Sequence, residues 1–507
     1  MSVTTEITIA QGRIRGTIED GLAVFRGVPF AAPPVGTLRF KPPSPVAPWR
    51  DVLDVTSPAA ICPQPRSRLA ALMGDFHVRQ DENCLTANIW APMPLGRRRP
   101  LLVWIHGGAC VSGGGALPWY DGARLARDND VIVVNVNYRL GALGYLFRPG
   151  LAAGNMGVFD LVQALRWIHE NAAAFGGDPG QITLMGQSAG GNHIFCLLAL
   201  PETRALVRRV VLLSTGFGTA TEEDLTASSN LLCEQLGIDP GCSDALERLQ
   251  SVPVEHILEA QIAASQRPQR SAGNMMPPFA LLSVGGLPSG WDESAFATAA
   301  ASVARGMEII IGTTAEEAKP FYTLDPRLKE IGPERLPALA PNLLGPDWSD
   351  RIARARRLRP GATASETLCD AQSAKMFMDP AERFAAAVAQ GGGKVWAYRF
   401  DWRAPNGEFG ACHCIELPFV FGTFDAFENA PMLGAVTAKM QALSGIVRGA
   451  LGRFVVSGSP NGDSLPHWPQ FTASHRALLT FNETIRVGCG NIDLRPDTAA
   501  HVDTFAA

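Results

Sequence analysis

The chain has 507 residues, 46% of them hydrophobic and 18% charged, an ordinary globular balance with enough apolar residues for a large core. A formal net charge of −4 excludes the basic face that a nucleic-acid partner needs, and no apolar run approaches the ~20 residues that span a bilayer. The N-terminus, Met1-Ser-Val-Thr-Thr-Glu-Ile-Thr8, has neither a basic start nor a long apolar stretch; a cytoplasmic location is expected, or a secreted one if a leader has been removed.

In chain order, the first hundred residues read as β-rich and turn-rich. Gly12 to Gly16 and Leu22 to Phe25 alternate like antiparallel strands, Pro29, Pro33 and Pro34 break the pattern, and Ala87 to Trp90 is a further short strand. The texture then changes to longer apolar runs separated by helices, as buried parallel strands require. Leu101-Leu-Val-Trp-Ile105 runs into His106-Gly-Gly, and Val131 to Val136 runs into Asn137-Tyr-Arg. Leu161 to Ala174 has helical spacing. A short strand from Gln181 then meets a glycine-flanked turn and a helix through Ile194 to Leu200, followed by the strand Val210 to Leu213. Mostly helical stretches over about 221–305 and 326–390 bracket a strand at Glu308 to Gly312. Lys394 to Phe400 is another strand, and a long amphipathic helix covers about Ala435 to Ser457. Alternating strands and helices imply an α/β fold with a mostly parallel central sheet flanked by helices. The two helical stretches are read as cap-type insertions at the sheet's carboxyl edge, so residues 1–507 are expected to form a single domain with a helical cap.

The ten cysteines, at positions 62, 84, 110, 196, 233, 242, 369, 412, 414 and 489, include no C-x-x-C pair. Cys412-His-Cys414 has no second ligand cluster to complete a metal site, so neither a metal nor an organic cofactor is expected.

The chemistry starts at Gly186-Gln-Ser-Ala-Gly190, a G-x-S-x-G between an apolar strand and a helix. Such an elbow exposes a serine hydroxyl on a sharp turn with room for a base beside it. Alone the pattern is weak evidence. In this fold the partners follow in the order serine, acid, histidine. Of nine histidines only His413, His467, His475 and His501 lie beyond an acid well downstream of Ser188. His467 and His475 sit in turn-like surroundings, whereas His413 follows a strand and a glycine-bearing loop. Glu316 and Glu317 both stand just past the strand at 308–312, and the residues alone do not choose between them. Upstream, His106-Gly-Gly-Ala109 follows a strand, and its two glycines allow backbone N–H groups to point at a developing oxyanion.

These blocks together resemble the type-B carboxylesterase family, which includes cholinesterases and bacterial para-nitrobenzyl esterases. The resemblance runs through Phe25-Arg-Gly-Val-Pro-Phe-Ala-Ala-Pro-Pro-Val-Gly36 with Arg39-Phe40, Asp81 to Trp90, Asn137-Tyr-Arg-Leu-Gly141, Phe175-Gly-Gly-Asp-Pro179, the elbow, Gly312-Thr-Thr-Ala-Glu-Glu317 and His413-Cys-Ile-Glu-Leu-Pro-Phe-Val-Phe-Gly422. It implies the α/β-hydrolase fold, with residues 1–507 as one catalytic domain, and a serine esterase with Ser188, Glu317 and His413 as catalytic residues. It further implies Gly108, Ala109 and Ala189 as oxyanion donors, with Ser214 and Glu416 supporting the histidine. Cys62 and Cys84 match a pair bridged in secreted relatives, which implies proximity and leaves the bond open, as it is for Cys233 and Cys242.

Four departures stand out. Gln187 replaces the usual glutamate beside the nucleophile, and Ala318 replaces a glycine after the acid. Cys110 replaces an aromatic after the oxyanion loop, which should open one wall of the site. No tryptophan lies between Cys62 and Cys84, where cholinesterases hold the choline cation. The expectation is a serine carboxylesterase of broad specificity for small to bulky neutral esters, monomeric or a small homo-oligomer, with a small-molecule ester as its partner and with no nucleic-acid partner and no membrane span. A lipase for longer-chain acylglycerols and a non-catalytic, cholinesterase-like interaction protein are the alternatives. Trp119, Phe321, Tyr322, Met376 and Phe377 are candidate pocket residues.

Overall fold

The computed structural model describes residues 3–489, apart from 217, 219, 266–271, 274, 283–303 and 406. Its long apolar runs become the middle of one large sheet. Ile132–Val136, Arg99–Ile105, Gly177–Gln187, Arg209–Leu213, Glu308–Thr314, Lys394–Phe400 and Ala477–Phe481 pair side by side in that order, all parallel. Antiparallel strands extend both margins. Thr4–Ile9, Gly12–Glu19, Leu22–Pro29 and Thr86–Pro92 lie on one side and Arg486–Cys489 on the other.

Both faces of the parallel strands are apolar because helices cover both. Leu101, Val103 and Ile105 join Ile182, Leu184, Val210, Leu212, Ile309 and Ile311 in one core, with residues of the helices Met156–Asn171, Ala189–Ala199 and Asp379–Gln390. The alternate residues Leu102, Trp104, Met185, Val211, Leu213 and Ile310 join the opposite core, under Ala123–Asn129 and Ala438–Ser457. Thr437 caps the last helix, its Oγ1 accepting from Met440 N–H at 3.2 Å.

Several boundaries differ from the sequence reading. The elbow strand begins at Gly177 rather than Gln181, and the helix before it is Met156–Asn171. The elbow helix is Ala189–Ala199 and starts directly after Ser188, although its first turn contains Gly190 and Gly191, which have weak helix propensity. The strands Ala477–Phe481 and Arg486–Cys489 were not anticipated.

Between Arg209–Leu213 and Glu308–Thr314 the described chain forms the helices Glu222–Gln235, Ala245–Ser251 and Val254–Ser265. Between Glu308–Thr314 and Lys394–Phe400 it forms a run of helices from Lys319 to Gln390, part of which encloses an apolar cluster of its own around Leu328, Leu336, Leu344 and Leu368. The cysteines are free thiols. Cys84 lies against Cys62, which together with burial pushes its thiol up. Cys233 is buried, whereas Cys242 is exposed and turned towards Asp239 at 3.4 Å. Among the described residues no helix is long and apolar enough to cross a membrane.

One topological feature locates the site. The strand Arg99–Ile105 is flanked by Ile132–Val136 on one side and Gly177–Gln187 on the other, so the winding reverses there and leaves a crevice beyond the carboxyl ends of the strands.

Candidate active site

Into this crevice the parallel strands deliver their next residues: His106 after Ile105, Ser188 after Gln187, Ser214 after Leu213, and Glu316 and Glu317 shortly after Thr314. Ser188 has φ 55° and ψ −123°, a strained backbone of the kind found at functional turns. It is held by its own N–H donating to Leu213 O at 3.0 Å and its carbonyl accepting from Gly191 N–H at 3.0 Å. The turn closes because Gly190 lacks a side chain; a Cβ there would lie 2.0 Å from Ile105 O. Behind the helix, His193 Nδ1 donates to Ala189 O at 2.6 Å and its Nε2 accepts from Tyr145 Oη at 2.5 Å. Burial lowers this imidazole to about 4, which keeps it neutral and fixes that tautomer.

The loop from His106 to Gly113 is braced from below. His106 is buried and stacked on Tyr138 at 4.4 Å, with Nδ1 donating to Gly107 O at 2.7 Å. Burial lowers the His106 imidazole to about 3. Gln64 ties the far end of the loop to the scaffold, accepting from Gly113 N–H at 2.6 Å and donating to Gly113 O at 2.7 Å. Gly108 and Ala109 adopt φ of 109° and 54°, a left-handed turn that frees their N–H groups. Among the described residues no acceptor takes the N–H of Gly108, Ala109 or Ala189, and all three residues lie beside Ser188. Unpaired backbone donors beside a serine are groups that can receive the oxygen of a carbonyl under attack.

Glu317 is fully buried. Its Oε1 accepts from Thr314 N–H at 2.8 Å and its Oε2 lies 2.6 Å from His413 Nδ1. Glu316 points the other way: it accepts from Ala411 N–H at 2.9 Å and from Lys319 Nζ at 3.1 Å, while its own N–H donates to Ala411 O at 2.8 Å. It clamps the loop that carries the histidine. Burial opposes protonation of His413, but the neighbouring Cys414 and the Glu317 carboxylate on Nδ1 together outweigh it and the net shift is upward. The neighbouring Cys414 thiol is itself pushed up by burial. Ser214 Oγ donates to Glu416 Oε1 at 2.8 Å, and burial, with the charge of Glu317, raises Glu416 to about 7.

Ser188, His413, Gly108, Ala109 and Gln187 line one cavity that is open to solvent. No hydrogen bond joins Ser188 Oγ to His413 among the described residues; such contacts often close only with substrate bound. Phe76, Trp119 and Phe321 form aromatic walls, with Phe76 edge-on to Trp119 at 5.4 Å. The other candidate pocket residues fall elsewhere. Tyr322 turns to Gln372 at 2.6 Å, Met376 packs on the helical cluster, and Phe377 covers His413 from 5.0 Å. Cys110 does not open a wall, because its thiol faces Tyr145 and Leu281 in the core. His467 and His475 are exposed. Sequence reasoning passed over His193, whose only local signal is its place one turn after Ala189 on the elbow helix. Cys414, weighed from the sequence only as a metal ligand, adjoins His413 and lines the cavity.

Comparison with known proteins gives a consistent answer. A model of the carboxylesterase family matches residues 3–494. The para-nitrobenzyl esterase of Bacillus subtilis is 36% identical over 487 residues, covering 95% of each chain. The phenmedipham hydrolase of Pseudarthrobacter oxydans is 35% identical, covering 93% of this chain and 94% of its own. Among solved structures, a carboxylesterase of Geobacillus stearothermophilus superposes with a TM-score of 0.84 at 33% identity, covering 96% of this chain and 98% of that one.

Proposed function

The chain belongs to the carboxylesterase family and is a carboxylic ester hydrolase, and from that premise we propose that Ser188, His413 and Glu317 carry its reaction. Ser188 Oγ attacks the ester carbonyl as His413 Nε2 takes its proton, and Glu317 holds the imidazole through Nδ1 and stabilises the imidazolium. The N–H groups of Gly108, Ala109 and Ala189 receive the oxyanion. His413 returns the proton to the departing alcohol, leaving an ester on Ser188. Water, deprotonated by the same Nε2, attacks that ester, and His413 returns the proton to Ser188 Oγ as the acid leaves.

The observation that carries this reading is the 2.6 Å contact of His413 with Glu317 at the wall of a cavity shared with Ser188 and two of the unpaired N–H groups. The substrates proposed are neutral esters with an aromatic alcohol or acyl part. Support comes from the Phe76, Trp119 and Phe321 walls and from the para-nitrobenzyl esterase among the relatives; the described lining includes Arg68 and no carboxylate, which disfavours a cationic substrate. The test is hydrolysis of a short-chain aryl ester by Ser188→Ala, expected to lose at least about 10³-fold in kcat, together with organophosphate labelling of the native enzyme at Ser188. Undiminished turnover by the variant, or labelling at another serine, defeats the assignment.

A further inference from the structure

Gln187 precedes the nucleophile and is 1% exposed. Its Oε1 faces the oxyanion loop, where a Cβ on Gly107 would lie 2.6 Å from it. Its Nε2 lies 3.2 Å from His413 Nε2 and 3.4 Å from Cys414 Sγ. The roles in this contact are constrained. A carboxamide nitrogen only donates, so His413 Nε2 accepts, and the imidazole proton sits on Nδ1 towards Glu317. The lone pair that must receive the Ser188 proton is therefore occupied by Gln187.

When that proton arrives, Nε2 becomes a donor and the Gln187 amino group opposes it. Half a turn about the last side-chain bond exchanges the two ends of the carboxamide in nearly the same volume and presents Oε1 instead. The other groups facing the imidazole cannot do this. Glu317 lies at Nδ1, Glu416 stands behind with Ser214, Cys414 is a weak donor and acceptor, and Phe321 and Phe377 are apolar at 6.3 and 5.0 Å between ring centroids. A carboxylate in place of Gln187 would suit only the imidazolium.

We propose that Gln187 is a positioning residue whose carboxamide meets His413 Nε2 in both protonation states, donating to the neutral ring and, once reversed, accepting from the imidazolium. It keeps the base from turning away between turnovers and yields to Ser188 when an ester fills the oxyanion hole. The inference rests on the assignment of Ser188 and His413 above.

The experiment compares kcat and kcat/KM across pH for a neutral short-chain aryl ester in native enzyme, Gln187→Glu and Gln187→Met, each first titrated with a fluorophosphonate to count reactive Ser188. A fixed negative charge at this position favours the imidazolium, so Gln187→Glu is expected to move the acidic limb upward by about one pH unit. Its alkaline plateau should stay within roughly threefold of native. Gln187→Met, of similar volume but with no polar atoms, is expected to lower kcat about tenfold with little change in KM, and the glutamate variant to recover that loss at alkaline pH. Superimposable pH profiles, or a uniform loss in both variants with no displacement of the limb, overturn the role given to Gln187. Failure of the fluorophosphonate to label native Ser188 overturns instead the assignment on which it rests.

Discussion

Glu416 is fully buried, takes its one side-chain hydrogen bond on Oε1 from Ser214, and has an Oε2 without a partner among the described residues. Burial first, then the charge of Glu317, raises it to about 7 from an ordinary value of 4.5. The folded chain thus binds this proton more tightly than the unfolded chain. The stabilising contribution is complete below the unfolded value and is lost as pH rises through the folded one. Glu416→Gln keeps the acceptor for Ser214 and removes the ionisation. Relative to native enzyme, the variant should gain stability as pH rises from 4.5 to about 7, by up to ~3 kcal/mol, read as a difference in Tm that widens over that range and levels off above it. A difference that stays constant across that range refutes this account. At this scale the sequence was legible only in part. Glu316 and Glu317 follow the same strand, and which one turns to His413 depends on side-chain directions that no local pattern records; the family resemblance chose Glu317, and Ser214 and Glu416 came from that resemblance alone.

The elbow shows what the sequence carries at the level of elements. A strand, a strained residue and a helix follow one another without a linker, and the close approach leaves no room at Gly190, where a Cβ would sit 2.0 Å from Ile105 O. Gly190→Ala should therefore push the helix off the strand that ends in the oxyanion loop, at ~3 kcal/mol or more, with a large fall in Tm and in activity together. Gly445 in the helix Ala438–Ser457 is the control. It is exposed, and an alanine Cβ there would meet nothing within 4 Å, so Gly445→Ala is expected to add about 0.5–1 kcal/mol through helix propensity. A Tm unchanged in Gly190→Ala counts against the packing argument. The buried parallel strands were readable because both faces are apolar. Arg486–Cys489 was not, since it is four residues long and half-exposed, and Ala477–Phe481, although as long and as apolar as Arg209–Leu213, stands apart from the strand–helix alternation at the chain's end; their identity as strands is fixed by pairing with Lys394–Phe400 and with each other, which is information distant in sequence.

Across the whole molecule, Arg39 joins the β-rich N-terminal part to the helices inserted after the strand Arg209–Leu213. Its guanidinium Nε donates to Glu82 Oε2 at 2.7 Å and Nη2 binds the other oxygen of the same carboxylate. Nη1 meets the carbonyls of Leu249, Gln250 and Val252 at 3.3, 3.1 and 2.6 Å, at the end of the helix Ala245–Ser251. Carbonyls at a helix C-terminus are short of N–H partners, and a cation there also favours the dipole. Arg39 and Glu82 both lie within the blocks that resemble the family, yet nothing local to either names a helix some 210 residues away as the third partner. Arg39→Ala leaves a largely buried carboxylate and three carbonyls without their donor, which costs ~3–5 kcal/mol, and Arg39→Lys should recover little because an ammonium cannot reproduce the fork. If this residue ties the inserted helices to the sheet, native enzyme unfolds in one transition by circular dichroism and tryptophan fluorescence. In Arg39→Ala the helices between 222 and 265 should become susceptible to limited proteolysis below the temperature at which the sheet melts. Cleavage there at the same temperature as native enzyme would mean that these helices are held by their apolar packing alone.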